Sequence, residues 1–388
     1  MRLTRLLLED FRSYPAAELR PESGLTIVAG PNGAGKTNLL EAVYVAITGR
    51  SHRAGTEAEL VRHGAPFARV RLDLGSDDGG ESAKLELLIP GTEPPPGLRK
   101  RLLLNGLPRR AASVADVVRA VLFRPEEMLL LVGAPSERRR FLDALLAQRS
   151  RGGARDLGEL ARVLAQRNAL LRAIRREEAG EEGLGFWDEQ LALVGARVMA
   201  ARLALVRDLD ALIPDLHDAV APADEQGERV RLTYTDTLKD AWPDRRPDGV
   251  TAEELADAFR RRMAGARQKE IWNGVSLVGP QRDDLRVELG GRDVATHASR
   301  GQQRTIILAM KLAERQLLAG DTAGMPIVLL DDVFSELDPE RSERALDLLL
   351  DHGQVLVTMA DPAALPPGRR GVPTWEVGEG RLSRARVA

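Results

Sequence analysis

Apolar and polar positions along the chain alternate between two periods. Near the N-terminus the apolar residues come in short runs, Leu3 to Leu8, Phe11-Arg12-Ser13-Tyr14 and the β-branched run Leu25-Thr26-Ile27-Val28-Ala29, and these predict short strands. From Leu39 the spacing changes to Leu39, Leu40, Ala42, Val43, Ala46 and Ile47, which is helical. Strict alternation returns at Ala68 to Leu74 and at Lys84 to Ile89, with Asp77-Asp78-Gly79-Gly80 as the turn between them. Pro94-Pro95-Pro96-Gly97 is a loop, and Arg101 to Leu104 followed by Asn105-Gly106 is a hairpin signal. This series of half-exposed strands predicts an antiparallel sheet.

The middle of the chain reads as helix. Ser113 and Asp116 mark a helix start before Val117, Val118 and Val121, and Ser136 is placed to cap a helix running from Glu137 to Leu146. Between 155 and 215 the pattern is long, charged and helical, broken at Gly180 to Gly185, while Pro214, Pro222 and Pro243 to Pro247 interrupt a less regular stretch. Helical spacing resumes from Ala252 to Ile271. Val275 to Leu285 then reads as a strand, a tight turn and a polar corner. Its adjacent Asp283 and Asp284 fit a turn better than a metal site. Near the end, Thr305, Ile306, Ile307, Leu308, Met310, Leu312, Leu317 and Leu318 form one apolar helix face, and Ile327-Val328-Leu329-Leu330 is an apolar run suited to a strand buried on both sides.

Composition narrows the class. With 388 residues, 43% of them hydrophobic and 29% charged, the chain has the profile of a soluble globular protein of about two domains. No apolar stretch reaches the roughly eighteen residues that cross a bilayer, and the first residues turn acidic at Glu9-Asp10 too soon for a secretion signal, so a cytoplasmic location is expected. There is no cysteine, which excludes disulfides and thiolate metal sites, and the five histidines lack ligand spacing. A net charge of −2 supplies no global attraction to nucleic acid, so any such binding must use a local basic surface.

The chemistry begins at Gly30-Pro31-Asn32-Gly33-Ala34-Gly35-Lys36-Thr37, a glycine-rich phosphate loop set between a strand and a helix. The glycines let backbone N–H groups turn toward a polyphosphate, above the positive end of the helix dipole. Lys36 is expected on the outer phosphates and the Thr37 hydroxyl on Mg²⁺. Asn38 follows on the same turn, and Arg12 and Ser13 are candidates for the nucleotide's surroundings. The second apolar run ends in Asp331-Asp332. Asp331 is the candidate to hold Mg²⁺ through water, and Asp332, with Lys36 the expected catalytic pair, to orient or deprotonate an attacking water. Ser299-Arg300-Gly301-Gln302-Gln303 stands at another helix start, a second anion site, and one nucleotide cannot easily use two such sites of the same chain. That geometry points to a partner copy. Candidate DNA contacts are the basic turn with Arg50 and Arg53, the strand flanks Arg99, Lys100, Arg109 and Arg110, and Arg138 and Arg139.

Taken together, the serine–glycine–glutamine run, the apolar run ending in two acids and Ser335-Glu336-Leu337-Asp338 resemble the signature, Walker B and D-loop of ABC-type ATPases. More narrowly the sequence resembles the RecF family, on Phe11 to Tyr14, Gly49-Arg50-Ser51, Arg124-Pro125-Glu126-Glu127, Pro135 to Arg139, Gly279-Pro280 and Arg282-Asp283-Asp284. One departure is Gln281, where the family usually has histidine. The resemblance implies an α/β fold, an ABC/SMC-type P-loop ATPase head with a flanking antiparallel sheet and an inserted, mostly helical second lobe. The head is expected over 1–122 and 277–388 and the inserted lobe over 123–276. It also implies a homodimer formed on ATP binding, in which Ser299, Gly301 and Gln302 of one copy cap ATP and Mg²⁺ held by the other. The family's implied role is binding duplex DNA beside single-stranded gaps and, with RecO and RecR, helping to load RecA, with slow DNA-stimulated ATP hydrolysis controlling release. An ABC transporter subunit does not fit, because the span from Lys36 to Ser299 is too long, and a longer SMC protein would need far more coiled coil.

Overall fold

Three strands, β3 (Leu25–Ala29), β12 (Ile327–Asp331) and β13 (Val355–Met359), are buried at all five positions, as parallel strands covered on both faces must be. They form the centre of a computed structural model that describes residues 1–76, 82–223, 225–238, 249–319, 324–335, 337–351, 353–365, 367–369, 372–378 and 380–385. The turn expected at 77–80, the prolines between 243 and 247, and Glu336 lie outside the described residues. The central sheet runs β15 (Arg381–Arg384), β14 (Thr374–Gly378), β3, β13, β12, β8 (Ala120–Phe123), parallel except for the β14–β15 hairpin.

A second six-stranded sheet is antiparallel, in the order β2 (Tyr14–Leu19), β1 (Arg2–Phe11), β4 (Phe67–Gly75), β5 (Ala83–Pro90), β6 (Arg101–Leu104), β7 (Leu107–Pro108). Its register sets Leu19, Leu6, Leu72, Leu85 and Leu104 in one row across five strands, so the alternation seen in the sequence becomes a continuous apolar face. Between the two sheets lies the helix Lys36–Thr48, packed against both. A helix covered on two sides is apolar around most of its circumference, which is why Leu39, Leu40, Ala42, Val43, Val45, Ala46 and Ile47 are all buried.

The chain divides into two compact units, one of Met1–Met128, Asp215–Gly227 and Arg300–Ala388, the other of Leu129–Pro214 and Glu228–Ser299. This differs from the expected 1–122, 277–388 and 123–276 at three places. Residues 123–128 go with the first unit, where Phe123 ends β8 and pairs with Leu330 of the central sheet. Residues 277–299 go with the second unit because β10 (Asp284–Leu289) pairs along its length with β9 (Val230–Thr235) and turns back into β11 (Arg292–Asp293). Residues 215–227 go with the first, where Glu225 pairs with Arg341 and the Ala221 carbonyl accepts from Arg344.

Local expectations also shift. The helix near Ser113 is only Ala111–Val114, and Val121 instead lies in β8, whose β-branched and apolar residues pair with β12. The helix Pro135–Arg149 starts with proline in its first position, one residue ahead of Ser136. Residues 275–278 form no strand. They are irregular backbone whose Leu277 and Val278 N–H groups donate to the Glu270 carboxylate. The helix Leu184–Val220 continues through Pro214, giving up one backbone hydrogen bond. No helix among the described residues is long and apolar enough to cross a membrane.

The second unit is centred on a buried arginine. Arg167, 1% exposed, donates to Asp188 (2.9 Å), to Ser276 Oγ (2.7 Å) and to Glu270 (2.6 Å), which is itself fully buried. It thereby ties together the helices Arg151–Arg175, Leu184–Val220 and Ala252–Asn273. Removing one member of such a group leaves an uncompensated buried charge. Glu270→Ala is therefore expected to destabilise the protein by about 3–5 kcal/mol, and Glu270→Gln by less because it retains hydrogen-bonding atoms. Urea unfolding followed by circular dichroism checks this, and an alanine variant within error of the parent would refute it.

Candidate functional site

The phosphate loop is held from three sides before any ligand is considered. Gly30 N–H donates to Met359 O at the end of β13, and the Gly30 backbone sits so close to β14 that a Cβ there would lie 2.4 Å from Val377 O. Gly35 has φ 111° and caps the helix Lys36–Thr48. A Cβ at Gly35 would lie 2.7 Å from Ser13 Oγ. The Tyr14 hydroxyl donates to Gly35 O at 3.0 Å, and Asn38 Nδ2 donates to Ser13 Oγ at 2.9 Å. The segment Arg12 to Tyr14 is thus a support beneath the loop.

Lys36 is almost fully buried and folds back over the loop, its ammonium donating to Gly30 O (2.7 Å) and Pro31 O (3.0 Å). Thr37 Oγ1 donates to Asp331 Oδ1 at 3.0 Å across the sheet, although 294 residues separate the two in sequence. Thr358 of β13 donates to the same oxygen at 2.6 Å, and the parallel register places Thr358 directly beside Asp331. Two hydroxyls on one oxygen fix the carboxylate's rotation. Asp332 follows in the left-handed region, φ 51°, with its N–H donating to Thr358 O (3.0 Å) and its carbonyl accepting from Ser335 Oγ (2.8 Å). The sequence brings out Lys36, Thr37, Asp331 and Asp332; Thr358 it does not, because nothing in Val355-Leu356-Val357-Thr358-Met359 says which strand lies between β3 and β12.

Behind the loop, Glu41 sits fully buried on the same helix. Arg12 grips it with both Nε and Nη2 at 2.9 Å, Ser51 Oγ donates at 2.6 Å and Arg53 Nη2 at 2.6 Å. Burial alone would push this carboxyl up, but the hydrogen bonds from Arg12, Arg53 and Ser51 outweigh it and draw it down to about 2. Neighbouring His52 is pushed down to about 3, by burial first and then by nearby Arg124, so it is neutral, its ring edge-on to Tyr44. A polar cavity of about 540 Å³ opens here, lined by Arg12, Ser13, Asn38, Arg53, Glu59 and Val61.

The signature residues stand at the start of the helix Arg300–Leu318, with Ser299 and Arg300 exposed, Gly301 and Gln302 half-buried and Gln303 buried. One turn on, Thr305 Oγ1 accepts from Arg341, which also pairs with Glu225 at 2.7 Å and with Asp338. Asp338 in turn accepts from Arg341 N–H and caps the helix Pro339–Leu350. The D-loop's aspartate and the signature helix are joined through one arginine. Ser335 is exposed and Leu337 half-buried.

The basic candidates divide into two groups. Arg53 is committed to Glu41 and Asn38, Lys100 to Gly49 O and Glu57, Arg138 bidentately to Asp284 (2.7 and 2.9 Å) and Arg139 to Asp283 O (2.8 Å). These four are engaged in internal ties, so a contact with DNA would draw on groups already partnered within the fold. Arg50, Arg99, Arg109 and Arg110 are exposed and make no ion pair among the described residues.

The family described as RecF/RecN/SMC N terminal domain matches residues 2–368. A DNA replication and repair protein RecF of Kineococcus radiotolerans is 41% identical over 391 residues, covering 97% of each chain. Solved structures of the recombination mediator protein RecF in the RecFOR pathway, as RecF-ATPrS and RecF-ATP, superpose with TM-scores of 0.87 and 0.85 at 26% identity, covering 99% of this chain and 98% and 97% of theirs. An Smc head bound to the C-winged helix domain of ScpA shares the fold, at TM-score 0.54 and 15% identity over 99% of this chain and 97% of that one.

The ionised Glu41 makes the helix behind the loop pH-sensitive. Its folded pKa lies below the ordinary value of 4.5, so its contribution is present in full above that value and is lost as pH falls through about 2. The unfolding free-energy gap between the parent and Glu41→Gln is expected to be about 2–4 kcal/mol above pH 5 or so and to shrink steadily below it. Denaturant titrations at stepped pH measure this gap, and one that stays constant down to the most acidic point contradicts the assignment.

Proposed function

Because the chain belongs to the RecF family of DNA replication and repair proteins, we propose that it is an ATP-dependent DNA-binding clamp of recombinational repair that hydrolyses ATP to ADP and phosphate. The observation that carries this reading is the hydrogen bond from Thr37 to Asp331, which places the hydroxyl of the phosphate loop and the carboxylate of the second strand at one point beside Lys36.

Bound polyphosphate replaces the carbonyls of Gly30 and Pro31 as the partner of the Lys36 ammonium, and the loop's N–H groups and the helix N-terminus supply the remaining positive field. Thr37 and Asp331 offer only oxygen donors, which suits Mg²⁺, and no group of three or more acidic or histidine side chains among the described residues competes as a metal site. Magnesium, when bound, neutralises charge on the phosphates. Thr358 holds Asp331 in the rotamer that this requires. Asp332, pinned by Thr358 and Ser335, orients the attacking water and takes its proton.

Ser299, Arg300, Gly301, Gln302 and Gln303 supply a lid to the nucleotide of a second copy, so two chains close as an isologous dimer with two ATPs between them. Ser335, Leu337 and Asp338 of the D-loop line the same seam. Since ATP touches both chains only in the closed dimer, it shifts the equilibrium toward closure, and hydrolysis removes that bias. The closed dimer holds duplex DNA beside a single-stranded gap and acts with RecO and RecR; the solved RecF structures are of recombination mediators in the RecFOR pathway.

Asp332 has positive φ, which asparagine tolerates nearly as well as aspartate, so Asp332→Asn changes the carboxylate without straining the backbone. It is expected to slow hydrolysis by about 10²-fold or more while ATP still drives dimerisation and DNA is retained longer. Lys36→Ala is expected to lose nucleotide binding itself, and Ser299→Arg to block closure. Sedimentation velocity with and without ATP, alongside phosphate release on gapped DNA, separates the three. Unchanged turnover in Asp332→Asn would reduce the protein to a nucleotide-gated binding module without this chemistry.

A further inference from the structure

The structure gathers five exposed arginines that have no ion-pair partner among the described residues. Lys100 Nζ donates to Gly49 O at 2.7 Å, and a Cβ on Gly49 would lie 2.8 Å from the Ala111 methyl. Arg50 follows Gly49, Arg99 and Arg101 flank Lys100, and Arg110 precedes Ala111, so three segments carrying four guanidinium groups meet around one point of backbone. Arg109 joins them, its N–H donating to Leu102 O beside Arg101. All five are exposed and make no ion pair among the described residues. Glu57, which reaches this point, is paired with Lys100.

The same segment carries the β6–β7 hairpin. Its two-residue turn, Asn105-Gly106, has φ of 51° and 78°, and Leu104 pairs with Leu107 across it. Asn105 is bonded to the backbone of Lys84 in both directions at 2.8 Å, its N–H donating to Lys84 O and its Oδ1 accepting from Lys84 N–H. The tip is therefore pinned to the neighbouring strand. On that pinned tip Leu107 is 56% exposed, and Pro108 beside it cannot donate to an added strand. An edge closed to strand pairing, ringed by unpaired guanidinium groups and bearing an exposed apolar side chain, suits a polyanion that has an apolar face at its end.

Resting on the DNA-binding reading above, we infer that this hairpin and the Gly49 turn grip duplex DNA at a single-strand junction. Arg50, Arg99, Arg101, Arg109 and Arg110 hold backbone phosphates, and Leu107 packs against the last base pair, whose outer face has lost its stacking neighbour. Phosphate contacts position the duplex and carry the salt dependence, whereas an apolar wedge carries the preference for an interrupted helix.

The test uses the full chain with ATP on three probes: covalently closed circular duplex, gapped duplex and single strand. Replacing Arg99, Arg101, Arg109 and Arg110 together by Gln should weaken binding to both duplexes by about tenfold or more and make the log–log salt slope shallower by about 3. Replacing the same four by Lys should restore most of that slope, which a merely misfolded hairpin could not do. Leu107→Ser should leave the salt slope and the closed-duplex affinity in place and cut the gapped-over-closed preference by about fivefold. Wild-type affinity and slope in the Gln variant, or an unchanged gapped-over-closed ratio in Leu107→Ser, overturns the inference while leaving the clamp reading intact. If the unmodified protein with ATP binds none of the three probes, the DNA-binding reading itself fails.

Discussion

The structure depends on one helix, Lys36–Thr48, being fixed between two sheets. Its apolar residues are used on both sides, so it cannot slide or rotate without opening one sheet or the other. What would be a weakness, a carboxylate buried in its second turn, becomes a second fixing point. Glu41 remains ionised only because Arg12 reaches it from the segment that supports the loop and Ser51 and Arg53 reach it from the turn after the helix. The start of the helix is held at Gly35 by Tyr14 and its end at Gly49 by Lys100. A phosphate cradle built on such an element is organised before its anion arrives, and little ordering remains to oppose binding.

The second constraint is register. The glycine-rich loop leaves β3 and the acidic pair ends β12, and these strands are separated by β13, a gap of about 10 Å at the usual strand spacing. Parallel pairing sets Val28, Thr358 and Asp331 at one level. Only at that level does the first turn of the helix bring Thr37 within hydrogen-bonding reach of Asp331. A one-residue slip of β12 would turn Asp331 to the other face of the sheet and break the site without unfolding anything.

Much of this was legible in the sequence because the signals are local. The strand–loop–helix context of Gly30 to Thr37, the alternation in β4 and β5, the Asn105-Gly106 turn and the apolar run before Asp331 each depend on neighbours within a few residues. What could not be read depends on distant pairing. The β-branched residues around Val121 fit a helix or a strand equally until β12 supplies Val328 as a distant partner, and the second unit runs on to Ser299 only because β10 finds β9. Thr358 and Glu41 carry no motif at all. Their roles are set by which strand and which turn come to lie beside them.

The same limit explains why basic residues were the least legible part of the site. A guanidinium in a sequence looks identical whether its acid is internal or absent, and Arg138 and Arg139 sit in as basic a run as Arg109 and Arg110. Yet the first pair is consumed by Asp284 and by the Asp283 carbonyl. In a chain of net charge −2, a basic surface arises by subtraction. Each arginine paired inside the fold removes both itself and an acid from the outer field, as at Glu41 and at Glu270 with Arg167. What remains around Gly49 is positive because its acids are already occupied, and over distances within a Debye length, about 8–10 Å, that local balance and not the total charge is what an approaching polyanion meets.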